Sequence, residues 1–305
     1  MENKRIISKE DKKKKYSLKS INMIEMHMLI PSSVSFFPSG NMISSTWTGE
    51  IIIYDTNYNI TQTIEKAHEK PITYLSIKDE NNFITCSYDK NIKTWIKKNN
   101  KFILNNVILN AHNNIINKVM YISKDNIISF SDDEKVKIWE IKKDNKYQSI
   151  GIFEFGKVKS SILLKDKNEL IFSGQNGTYL FNLNNFELIK SFNKVKCFWW
   201  NAMCRIDDDK IIIGSTSLVI ISLSKKEIIK NIILPFVCFT IIGDTKKGIF
   251  YVAGYGNDIM IYESDNFEYI ETMKDAHYKP ITGFTLMKNG SLVSYSNDDT
   301  IKIWS

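Results

Sequence analysis

Arginine is almost missing from this 305-residue chain: of 41 basic side chains, only Arg5 and Arg205 carry a guanidinium. A surface that reads phosphate or carboxylate through forked, bidentate contacts cannot be assembled from one arginine outside the N-terminal tail. Cysteine is also sparse. Cys86, Cys197, Cys204 and Cys238 form no Cys-x-x-Cys pair, and each lies in a strand-like run. Paired thiol spacing for zinc is therefore lacking, no metal or other cofactor is expected, and the thiols read as small buried residues of a reduced, intracellular protein. No secretory leader is evident, because the basic start runs into a segment interrupted by Lys19, Glu25 and His27. The longest apolar run, Ile232 to Ile242, contains Pro235 and is too short for a bilayer, so no membrane insertion is expected.

Charge of one sign is likewise missing from the body. The net charge is +7, but residues 1–16 hold seven basic and three acidic side chains, leaving 34 basic against 31 acidic elsewhere. A basic stripe for direct nucleic-acid contact is thus not expected. Residues 1–15, with Lys12 to Lys15 at their end, have little to bury and read as a disordered basic tail.

What the chain does have is a repeated frame. The stretch Ala67 to Trp95 recurs with unchanged spacing at Ala111 to Trp139 and Ala276 to Trp304. In each copy an Asp follows the His by 21 residues (His68 and Asp89, His112 and Asp133, His277 and Asp298) and a Trp follows it by 27. A hydroxyl precedes each Asp by four: Thr85, Ser129 and Ser294. A weaker copy carries His27, Ser44, Thr48 and Tyr54. Three further copies, with Phe181, Ile221 and Tyr262 at the Trp position, lack the His. The seven positions are 41, 44, 42, 40, 41 and 42 residues apart, the period of one four-stranded blade.

This frame resembles the WD-repeat family. The resemblance implies an all-β, seven-bladed WD-repeat β-propeller over residues 16–305, leaving no room for a second domain. It also implies that each His, Asp, hydroxyl and Trp form a buried hydrogen-bonded network, with the hydroxyl on a blade's second strand and the Trp on its third. A Ser-His-Asp reading of the same residues fails, because an enzyme needs one activated nucleophile and not copies around a ring. Tyr16 to Ile24 reads as a surplus N-terminal strand that closes the last blade, since the seventh repeat ends one residue after Trp304.

Two loops of each blade share one end of such a ring. The residue before each Asp position faces that rim: Trp47, Tyr88, Asp132, Gly174, Gly214, Tyr255 and Asn297. Counting five past each His position adds Ser32, Thr73, Asn117, Lys159, Trp199, Thr240 and Thr282. Aromatic side chains there suit a peptide anchor. The partner-binding residues expected are Trp47, Tyr88, Asp132, Trp199, Tyr255 and Asn297. The resemblance implies a non-enzymatic scaffold for other proteins, a monomeric propeller inside a hetero-complex, in the cytoplasm with the nucleus as the alternative. The alternative function is a nucleic-acid-associated subunit of a nuclear or RNA-processing complex. Recruitment of cullin-type ligases is disfavoured, because Asn57, Lys97 and Ile141 stand where those proteins often carry Arg.

Overall fold

The computed structural model describes residues 18–25, 29–142 and 146–305, which form 28 strands, β1 to β28 in chain order. They make seven four-stranded antiparallel sheets. Their innermost strands are β2 (Pro31–Phe36), β6 (Ile72–Ile77), β10 (Ile116–Tyr121), β14 (Val158–Leu164), β18 (Met203–Arg205), β22 (Cys238–Asp244) and β26 (Ile281–Leu286). Each touches the next, and β26 touches β2, so the sheets stand as blades around a closed ring.

Burial follows a strand's place in its blade. The second strands, such as Asn82–Ser87 and Ile249–Gly254, are buried almost throughout, because blades pack on both faces. The third strand Ile51–Tyr54, a continuous apolar run, is buried throughout as well. The outermost strands are the most exposed, and Tyr147–Glu154 alternates along its whole length, with one face on a neighbouring blade and one in water.

The ring closes as its sequence suggests. β1 (Ser20–Glu25) pairs antiparallel with β28 (Thr300–Trp304), Ser20 opposite Trp304 and Glu25 opposite Thr300. The strand starts and ends later than the expected Tyr16 to Ile24; residues 16 and 17, the tail of residues 1–15, and His27 lie outside the described residues.

One irregularity matters for the site. Six of the seven innermost strands carry a register shift near their start, for example between Ile72 and Tyr74. The extra residue of a bulge leaves the ladder, and its side chain is re-aimed. The bulged residues are Ser32, Thr73, Asn117, Lys159, Phe239 and Thr282. In the sixth blade this corrects the expected Thr240, which is buried, to its neighbour Phe239. The fifth blade has no bulge, and its innermost strand is only three residues long.

Candidate functional site: the channel mouth and its supporting tetrads

The repeated residues assemble into three buried networks of one design. His68 Nδ1 lies 2.8 Å from Asp89 Oδ2 and its Nε2 lies 2.8 Å from Thr85 Oγ1. The Trp95 indole N–H donates to the same hydroxyl at 2.9 Å. His112, Asp133, Ser129 and Trp139 repeat this arrangement, as do His277, Asp298, Ser294 and Trp304. The donors fix the tautomer. An indole can only donate, so the hydroxyl accepts from it and donates its own proton to Nε2. The imidazole is therefore neutral, with Nδ1–H donating to the carboxylate. Burial pushes all three His pKa values down, that of His112 to about 4. Thr85, Ser129 and Ser294 are 0% exposed and engaged on both sides, so none can meet a substrate. The four cysteines are buried and unbridged, and desolvation pushes the Cys86 and Cys197 thiols up to about 12.

The networks hold one end of the propeller. Backbone N–H groups of Trp47, Tyr88, Asp132, Tyr255 and Asn297 each donate to the carbonyl just ahead of the blade's innermost strand, at 2.9–3.1 Å. In the fourth blade Gln175 makes this bond to Lys157, so the expected Gly174 is off by one; in the fifth, Gly214 bonds Ala202. These residues ring the mouth of the central channel.

The fifth blade departs most from the frame. Residues 193–202, which precede β18, reach across the channel to three other blades. The Trp200 indole N–H donates to Asn117 Oδ1 at 3.0 Å in the third blade. Asn201 Nδ2 donates to Thr282 O and to Tyr295 Oη, both at 3.1 Å, in the seventh. Trp200 also packs on Trp47 of the first, with ring centroids 5.8 Å apart. The crossing leaves a cavity of about 570 Å3 at the mouth, walled by Trp47, Trp199, Trp200, Phe239 and Tyr255 together with Val237 and Pro280. The rings form a continuous series from Tyr88 through Trp47, Trp200, Trp199 and Phe239 to Tyr255. Tyr255, 71% exposed, stands at its outer end.

Of the six expected binding residues, Trp47, Trp199, Tyr255 and Asn297 line this cavity. Tyr88 packs edge-on against Trp47 at 5.6 Å, behind the wall. Asp132 instead pairs with Lys159 at 2.7 Å and accepts from Asn117 Nδ2 at 2.7 Å. Asn117 is fully buried, and its amide makes four hydrogen bonds: it donates to Asp132 and Val158 O and accepts from Lys159 and Trp200. That amide fixes Trp200. Trp200 and Phe239 were not expected from the frame. The adjacent Trp199-Trp200 pair in a connection between strands is the signal that could have found the first.

Residues 59–95 and 268–305 match the WD40 family, described as WD domain, G-beta repeat. Both matches cover blades with a complete tetrad, in a ring of seven four-stranded blades. The chain carries WD40 repeats and folds as a seven-bladed β-propeller. No curated protein matches it significantly. WD-repeat propellers are generally interaction scaffolds that bind other proteins, and generally not enzymes. Among the described residues, no helix is long and apolar enough to cross a membrane.

Two outcomes follow from the tetrads of this WD-repeat propeller. His68→Ala should cost roughly 1–3 kcal/mol, because Asp89 and Thr85 stay buried and lose a partner. Urea melts measure the loss, and a midpoint equal to wild type would contradict the network. Acid should act through the same groups. The unfolded imidazole protonates near pH 6.5 and the folded one at lower pH, so the unfolded chain takes up protons that the folded chain refuses. Stability is complete above pH 6.5 and falls as pH drops, with His112 contributing a loss of about 3 kcal/mol by about pH 4. Melts at pH 7.5, 6 and 4.5 should show a falling midpoint, and His112→Gln should flatten that dependence. A midpoint constant across the series would mean that the three imidazoles are not held neutral.

Proposed function

We propose that this WD-repeat propeller is a non-enzymatic adaptor that holds a partner protein at the tetrad-supported channel mouth, as a monomeric subunit of a larger complex. The observation that carries this reading is the aromatic cavity. Concave, mainly apolar sites with few polar groups are where binding concentrates, and buried Trp and Tyr anchors dominate interface energies. The walls are also pre-organised, since Trp200 and Asn201 are hydrogen-bonded into opposite sides of the ring before any partner arrives. Nothing favours direct nucleic-acid contact at this place, as no Lys or Arg lines the cavity and Lys159 is engaged with Asp132. Cytoplasm, with the nucleus as the alternative, is the compartment that suits a chain with unbridged, buried thiols.

Paired affinity captures with wild type and with the Trp47→Ala, Tyr255→Ala double variant test the reading. The two residues line the cavity from the first and sixth blades. The variant should lose at least about tenfold in captured partner while its melting temperature stays within a few degrees of wild type. Undiminished capture of every partner would move the binding surface elsewhere.

A further inference from the structure

The lining of the channel-mouth cavity is selective in a way the aromatic rings alone do not convey. It contains no ionised group. Asp132 and Lys159, beside Trp200, are paired with each other at 2.7 Å, with the Lys159 ammonium 5.3 Å from the Trp200 ring centre. A charged ligand would leave water for a site with no counter-ion, a costly transfer. An uncharged one would exchange hydrated apolar surface for ring contacts.

Several polar atoms at the cavity's edge are committed. Ser32 bonds Ser45, Thr73 bonds Ile116 O, Thr282 bonds Tyr295 O, and Asn201 donates to Thr282 and Tyr295. Without a partner among the described residues are the Trp47 and Trp199 indole N–H groups, the Tyr255 hydroxyl and the side chain of Asn297. Of these only Asn297 carries an amide. Its backbone N–H is tied to Pro280 O, which fixes the residue, while its side-chain amide has no hydrogen-bond partner among the described residues. A primary amide offers one acceptor and two donors side by side, complementary to the C=O and N–H of an extended peptide. Beyond Tyr255 the surface continues into a second depression of about 310 Å3, lined by Phe236, Tyr255 and Met260 among others, which gives a chain laid over Tyr255 somewhere to go.

We infer that the cavity receives one large uncharged side chain, aromatic or aliphatic, from an extended peptide whose backbone is held beside it by the Asn297 amide. This rests on the channel mouth being the partner site. The cavity volume of about 570 Å3 suits a side chain and the backbone flanking it, and falls within the roughly 300–1,000 Å3 typical of ligand pockets. The ring faces would also attract a weakly hydrated cation, and the experiment separates that occupant from the one inferred.

The test uses the full chain, with its indole N–H resonances as the reporter. Trp47 and Trp199 make no indole hydrogen bond among the described residues, whereas Trp200 donates to Asn117. Four probes are titrated: 3-methylindole, N-acetyl-tryptophanamide, N-acetyl-argininamide and tetramethylammonium chloride. The first two should shift these resonances at concentrations at least about tenfold lower than the last two. Asn297→Ala should weaken N-acetyl-tryptophanamide about fivefold and leave 3-methylindole unchanged, which also shows that the variant's cavity is intact. Equal or tighter binding of either cation overturns the uncharged side chain. Equal effects of Asn297→Ala on both indole probes, or none on either, overturn the backbone contact. If neither indole probe binds while partner capture still depends on Trp199, this inference falls and the adaptor reading stands. If Trp199→Ala also leaves capture untouched, both fall.

Discussion

Removing residues 1–25 should yield insoluble protein, or protein that melts more than about 10 °C below wild type, whereas removing residues 1–14 should be tolerated. The difference is β1. Its five paired residues complete the seventh blade, and Lys19 exchanges two further backbone hydrogen bonds with Ser305 at 3.0 and 3.1 Å. Leu18 packs into the core that holds Trp304, and Ile24 into the core between the seventh blade and the first. Without β1 the last blade keeps three strands, β28 presents a row of unpaired backbone groups, and both cores open to water. Residues 1–14 are dominated by charge and have little to bury. Solubility and thermal melts of the two truncations decide the matter. Equal behaviour would mean that the ring does not depend on its N-terminal strand.

The parts of this architecture that were legible in the sequence are those with no tolerance for substitution. A tetrad needs a neutral imidazole, a carboxylate, a hydroxyl that both accepts and donates, and an indole N–H, so its spacing survives intact wherever it occurs. Blades four to six have no such network. Phe181, Ile221 and Tyr262 bury apolar surface where Trp would otherwise stand, a condition that many side chains meet. Those blades were recognisable only through the period of about 40 residues. The rim positions slipped for the same reason. Connections into the innermost strand span seven residues in the three complete blades but 155–157, 193–202 and 234–237 in blades four to six. Counting from an absent His therefore misplaced Thr240 for Phe239, and the Asp-side count misplaced Gly174 for Gln175. The channel-crossing segment was illegible because its partners, Asn117, Tyr295 and Trp47, lie 83 residues or more away in either direction. Half of the cavity's lining, including Trp199, Trp200, Phe239 and Tyr255, comes from blades that lost the frame. Once a connection need not carry His and meet Asp, its length and composition are free to serve another surface.

Gly283→Ala should destabilise the protein by about 3 kcal/mol and disturb the channel mouth with it. A Cβ at Gly283 would sit 1.8 Å from Tyr295 Cζ and 2.0 Å from its hydroxyl oxygen, far inside contact distance. Tyr295, on the adjacent strand Leu292–Ser296, is nearly fully buried and passes its ring over Gly283 to meet Asn201. The clash is with a buried ring, not with the end of a flexible, solvent-exposed side chain. Displacing the ring costs packing, and it also removes one of the two bonds that anchor the crossing segment to the seventh blade. The Trp200 indole resonance, two blades from the substitution and held by Asn117, should therefore shift. Tyr295→Phe serves as the comparison: it keeps the ring, loses only the hydroxyl bond to Asn201, and should cost about 1 kcal/mol. The ordering of the two variants is the decisive readout. A Gly283→Ala protein as stable as Tyr295→Phe, with Trp200 unmoved, would show that the glycine is not what lets Tyr295 reach the segment that roofs the channel.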